Sequence, residues 1–448
     1  MEYNTPYQAN AAERSARYGV SITAKEAFMN DRIEILPDVF LTSVQTDKFK
    51  TGCFSINFLR PMARSEASRN ALIPSVLLRG SERYPDIRSI SARLDELYGA
   101  SVGTLVRKKG EMQLVGLFAD FIEDALADEP VFAPVLDFTA ELLLHPKLEE
   151  GVFRADVVKS EKRNLANAIE SRINNKRSYA VTQLLRLMCA DEAYGVARLG
   201  ELEDVERTDE RDLFAHYQDV LAHSRVEIFY MGTRTAEQVR EDFRTALRTL
   251  PRGETVPVST QVVRAAAQVR EKTEAMEVAQ GKLSLGFRTG CTAAEPEYPA
   301  LLMMSTIFGG GPTSKLFTKV REEMSLCYYA GASIEKYKGV MLVSSGIETK
   351  NFETAKNEIL DQLEQCRMGS ISDYEFDSAK RYILSELKAA EDSPGRLDDY
   401  YVGCAAAGID CPIDALAAGV EAVTMADVVD AAKRVTLDAV YFLKGAEA

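Results

Sequence analysis

Little in this 448-residue sequence favours nucleic-acid, membrane or disulfide chemistry. Lysine and arginine number 54 against 68 aspartate and glutamate, a net charge of -14. A chain without a basic excess has no broad face for phosphate, so no nucleic-acid partner is expected. Solubility is the plain reading of that charge, and an acidic cavity for basic peptides is the second. No stretch of about 18 uncharged apolar residues occurs, which argues against a spanning helix and a membrane partner. The opening MEYNTPYQANAAERSARYGV contains no apolar run of the signal-peptide kind. The cysteines (Cys53, Cys189, Cys291, Cys327, Cys366, Cys404 and Cys411) are odd in number and lack CxxC spacing. They read as free thiols in a reducing cytoplasm, so a cytoplasmic location is expected.

Histidine is scarce as well: only His145, His216 and His223 are present. His145 precedes a proline in LLLHPKL and reads as a helix end. His216 and His223 lie seven apart on one helical face, as a stripe residue and a helix-terminal cation. These three do not supply the ligand count of a zinc site. Ser75 has neither a glycine elbow nor a placed histidine, so it is no nucleophile.

What is present is a globular composition, 46% hydrophobic and 27% charged, on a chain long enough for two or more packed units. An internal repeat organises it. CFSINFLRP, a helical stretch, Gly80, SISARLDELYGASVG and MQLVGLF run parallel to KLSLGFRTG, a helical stretch, Gly309-Gly310-Gly311, KLFTKVREEMSLCYYAGAS and VMLVSSGIE. Each half closes on a strand, VEIFYMGT and AVYFLKG. Strands are predicted from alternation, with Phe54, Ile56 and Phe58 on one face and Leu283, Leu285 and Phe287 likewise. A helix is predicted from the stripe Phe352, Ala355, Ile359, Leu360, Leu363 and Cys366, with Asn351 as N-cap. The proline-bearing stretch 250–272 has linker composition. The expected class is α+β: two homologous lobes, each with helices on one face of a mainly antiparallel sheet, over 1–250 and 273–448 with a linker at 251–272.

Two local motifs have ordinary readings. Arg107-Lys108-Lys109-Gly110 looks like a hairpin tip, a solvated loop before a cationic patch. The run from Gly309 to Lys315 fails the phosphate-loop template, because Ser314 and not glycine precedes Lys315; a tight turn with positive-φ positions is the simpler expectation.

The segment GGGPTSKLFTKVREEMSLCYYAGA resembles the C-terminal signature of the M16 (pitrilysin/insulinase-type) metallopeptidases, through Ser314, Lys315, Leu316, Phe317, Arg321, Glu322 and Tyr328. The resemblance extends from about residue 30 to the end and implies one clamshell half of that family. Active members carry H-x-x-E-H before a [KR]-G-[ST] turn, two histidines holding zinc and a glutamate activating water. Anchored on Arg79-Gly80-Ser81, those positions fall on Ala71, Pro74 and Ser75. If Glu161 is the family's earlier glutamate, its further glutamate ligand falls on Ala168, with Glu170 two residues out of register. The resemblance therefore implies a non-zinc-binding, inactive subunit of the kind related to the mitochondrial processing peptidase alpha subunit, with no metal and no cofactor of its own. It further implies a peptide substrate and a zinc-bearing M16 partner in a heterodimer, to which Arg321 and Tyr328 lend catalytic donors. Gly309, Gly310 and Gly311 would lie near bound peptide. The alternative is a structural or peptide-binding protein of the same fold with no catalytic role. In that case Arg321 is an exposed partner of Glu322 or Glu323, and Tyr328 a half-buried strand aromatic with Tyr329 opposite.

Overall fold

Phe54, Ile56 and Phe58 do share one face of a strand, and that strand lies in the middle of a sheet. The computed structural model describes residues 31–445. Its strands are β1 (Asp31–Leu36), β2 (Val39–Gln45), β3 (Thr51–Pro61), β4 (Ser101–Lys109), β5 (Met112–Ile122), a short hairpin of β6 (Leu148–Glu149) and β7 (Val152–Phe153), and β8 (Arg225–Gly232). The second half adds β9 (Arg270–Met276), β10 (Gly281–Arg288), β11 (Cys327–Glu335), β12 (Val340–Ile347) and β13 (Thr436–Gly445).

The repeat is written in the topology. Read from the β4 edge, the first sheet runs β4-β5-β3-β8-β2-β1; the second runs β11-β12-β10-β13-β9. The order is the same with one strand fewer. In each sheet a single pair is parallel, β2 with β8 and β9 with β13, and the other pairs are antiparallel. This is the α+β architecture with two related lobes.

Chain contacts gather the described residues up to Gln261 with Ala390–Asp410 into one compact unit, and Val262–Ala389 with the residues from Cys411 onward into the other. Residues 251–269 carry no helix or strand. In the first unit, Phe54 packs edge-on against Phe243 (centroids 5.5 Å apart, planes at 86°) and against Phe132 (6.1 Å, 89°), beneath the helices Phe132–Leu144 and Ala236–Ala246. Such pairs add roughly 0.5–1.5 kcal/mol each beyond the apolar area they bury.

The other face of the same sheet is covered too, by the helix Pro394–Ala406. Tyr401 stacks on Phe229 at 6.1 Å, and Ser55 donates to Asp398 at 2.5 Å. β3 is therefore buried along both faces. One-faced helix cover, as expected from the alternation, omits this contribution.

In the second unit the helix Phe352–Arg367 buries Ala355, Ile359, Leu363 and Cys366 as its stripe requires. Asn351 stands at the N-cap position but its side chain makes no capping bond, contrary to expectation. All seven cysteines are free thiols. Among the described residues no helix is long and apolar enough to cross a membrane.

Candidate functional site

The helix Arg64–Leu77 begins after β3 and carries Pro74 near its end, where the Pro74 carbonyl still accepts from the Leu78 N–H at 3.3 Å. Ala71 and Ser75, one turn apart, look into a cleft of about 470 Å³. Glu161 and Ala168, seven apart on the helix Ala155–Glu170, look into it from the facing side, and Thr104 to Arg107 of β4 close it. Four of the sequence-derived positions thus converge. Pro74 and Glu170 do not line the cleft.

These residues do not fit zinc. Ala71 and Ala168 offer no ligand atom, and Ser75 offers a neutral hydroxyl, against the two histidines, or two histidines and a carboxylate, that a catalytic site uses. Glu161, the remaining carboxylate, is buried and engaged: Arg79 of the Arg79-Gly80-Ser81 turn pairs with it, and Asn164 Nδ2 donates to it at 3.1 Å. Among the described residues no three His, Cys, Asp or Glu side chains come together as a metal site would require.

The histidines are accounted for elsewhere. His216 is buried with Nε2 2.7 Å from Asn70 Oδ1, and burial, followed by the nearby Arg69, pushes its pKa down to about 4. His223 ends its helix with Nδ1 2.8 Å from Asp219, and His145 ends another helix, as expected. Asn70 in turn donates to Gln113 at 2.9 Å, and Gln113 donates to the carbonyls of Ala67 and Arg198. The polar chain ties the cleft's helix to the loop bearing Arg198.

The Arg107–Gly110 segment is a hairpin end, with Gly110 at φ 55°, but not a solvated loop. Arg107 pairs with buried Asp398, Lys109 with Asp399 at 2.7 Å, and Lys108 donates to the carbonyls of Tyr194 and Val196. Sequence reading missed Arg107 and Arg198 as cleft residues. Arg198 sits in a loop without periodicity, so nothing in the sequence marks it.

In the second unit the signature divides into scaffold and exposed residues. Leu316 is fully buried, and Lys315 is buried against Glu375 at 2.9 Å. The turn Leu316–Glu323 is wide, of π-helical type, with Met324 N–H bonded to the Lys319 carbonyl at 3.0 Å. Arg321 projects from it with 40% of its side chain exposed, 3.4 Å from Glu322 and with its guanidinium 4.5 Å from the Phe317 ring centre. Ser325 follows at φ 50°. The register with β12 then slips between Cys327 and Tyr329, leaving Tyr328 as the extra residue of a bulge, 73% exposed. Burial raises the Cys327 pKa, while the Ser345 hydroxyl and the Arg321 guanidinium oppose the rise. A half-buried strand tyrosine is not what the structure contains. A wide helical turn, a left-handed non-glycine residue and a bulge thus fall within about a dozen residues.

The glycine run serves differently from expectation. None of Gly309, Gly310 and Gly311 has positive φ. Gly309 instead allows close approach, since a Cβ there would lie 2.8 Å from the Ala332 nitrogen of β11 and from Leu316 Cδ1.

Residues 209–383 match the family model described as Peptidase M16 inactive domain. The chain is 34% identical over 410 residues to the Bacillus subtilis (strain 168) protein named "Probable inactive metalloprotease YmfF", covering 90% of this chain and 95% of that protein. It superposes on the crystal structure of a conserved protein from Enterococcus faecalis V583 with a TM-score of 0.85 at 30% identity, covering 93% and 98% of the two chains. The fold is shared with a peptidase M16 inactive domain from Pseudomonas fluorescens, with a TM-score of 0.75 at 16% identity over 93% and 98%. The chain thus belongs to the M16 peptidase family as an inactive homologue.

Proposed function

We propose that this chain is the non-zinc-binding subunit of an M16-type peptidase, binding peptide and contributing Arg321 and Tyr328 to the active site of a zinc-bearing partner. The bulge at Tyr328 carries the reading. It turns a phenol hydroxyl outward from an edge strand, while Arg321, four residues before Ser325, leaves its guanidinium half exposed. A fixed guanidinium and a phenol are donors suited to the oxyanion of a tetrahedral intermediate. Peptide binding draws support from β4, an outer strand beside the cleft. Arg198 Nη1 donates to the Val106 carbonyl, which puts Val106 on the unpaired side, and Thr104, two residues away, shares that side. An extended peptide can add to such an edge.

The test is kinetic. Tyr328→Phe and Arg321→Lys are each mixed with a zinc-bearing M16 partner, complex formation is checked by sizing, and kcat is measured. Loss of one oxyanion donor lowers kcat about 10²–10³-fold in well-studied cases, so at least a tenfold fall is expected here. Arg321→Lys also lowers it, because lysine keeps the charge and loses the fork. Turnover within about twofold of wild type for both would leave a peptide-binding subunit without a share in catalysis.

A further inference from the structure

The cleft without zinc ligands has a definite electrostatic character. Arg107 and Arg198 line it, in a protein whose net charge is -14. The carboxylates around it are already engaged: Glu161 by Arg79 and Asn164, Asp398 by Arg107, and Glu201 by Arg186 at 2.5 Å. Arg198 stands exposed at the rim with the Val106 carbonyl as acceptor, and among the described residues no carboxylate lies within ion-pair distance of it. Arg107 uses Nη2 on Asp398, and its Nη1 is buried without a hydrogen-bond acceptor. A guanidinium exposed at a hollow without a counter-charge is stabilised by an entering anion.

The loop is also held in place before any ligand arrives. Gln113 Nε2 grips the Arg198 carbonyl at 2.8 Å and the Ala67 carbonyl at 3.0 Å. Leu72, Leu105, Leu165 and Leu199 complete the wall, so the cleft combines an apolar lining with one open cationic fork, that of Arg198. That combination suits an amino-acid residue carrying a carboxylate better than a bare inorganic anion.

We propose that the former zinc cleft is a carboxylate-binding site, receiving a peptide's acidic side chain or its C-terminal carboxylate alongside β4. This rests on the peptide-binding part of the proposed function and is independent of Arg321 and Tyr328.

Four fluorescent peptides of one extended sequence test it by anisotropy at low ionic strength. They are a free-acid C-terminus, its amidated form, an amidated form with one internal glutamate, and the same with glutamine. One charged peptide is expected to bind about tenfold or more tightly than its neutral counterpart, and the pair that differs identifies the source of the carboxylate. Arg198→Gln should abolish the preference. Ser75→Asp, which sets a competing carboxylate in the cleft, should abolish it as well, and circular dichroism confirms that both variants are folded. Equal binding of charged and neutral peptides, or a preference that persists in both folded variants, overturns the carboxylate site and leaves the peptide-binding reading standing. If none of the four peptides binds, both fall.

Discussion

His216 shows what a single buried ring does to the whole chain's response to acid. Burial, followed by the nearby Arg69 charge, holds its pKa near 4, against 6.5 for an ordinary histidine. Near neutral pH the ring is uncharged in folded and unfolded chains alike and contributes nothing to pH dependence. Between about 6.5 and 4 the unfolded chain takes up a proton that the folded chain refuses, so stability falls as pH falls, by up to about 3 kcal/mol in total. His216→Gln, which keeps a polar partner for Asn70, should flatten that limb of a urea-midpoint-versus-pH curve. An unchanged slope would show that the ring protonates freely in the fold. Residues were legible in the sequence to different depths. Ala71, Ser75 and Ala168 were legible because an anchor and a count fix them, and the structure brings them to one cleft. The exposure of Tyr328 was not, because a bulge is a property of the pairing between two strands and β12 lies beyond the motif.

The helix Pro394–Ala406 is the element that sequence reading could not place. Its chief polar contact, Ser55 with Asp398, joins residues 343 apart, and no periodicity reports a partner at that distance. The alternation Phe54, Ile56, Phe58 was correct about one face of β3 and silent about the other. Asp398 takes Ser55 and Arg107 together in a nearly dry setting. Asp398→Ala should therefore strand the Arg107 charge and destabilise the first unit by about 3–5 kcal/mol, read as a lower denaturation midpoint. A loss below about 1 kcal/mol would mean that water reaches the pair. The central strands, by contrast, were legible as a repeat, since each sheet draws them from matching stretches of sequence.

At the scale of the molecule, the positions that the resemblance aligns with zinc ligands are divided between two helices. Ala71→His, Pro74→Glu and Ser75→His together restore the sequence motif yet supply only two protein ligands, where a catalytic zinc takes three and a water. Peptide hydrolysis and elemental analysis of this triple variant should show no turnover and no stoichiometric zinc while Ala168 remains. Robust activity would show that Glu161 can leave Arg79 for a metal.

The route of the chain also sets a timetable. Because residues 390–410 belong to the first unit, the ribosome finishes residue 261 long before it supplies the last piece of that lobe. At about 5–20 residues per second the delay is roughly 7–30 s. During it the β3–β8 face lacks that cover, a reason why the first lobe, expressed alone, should aggregate.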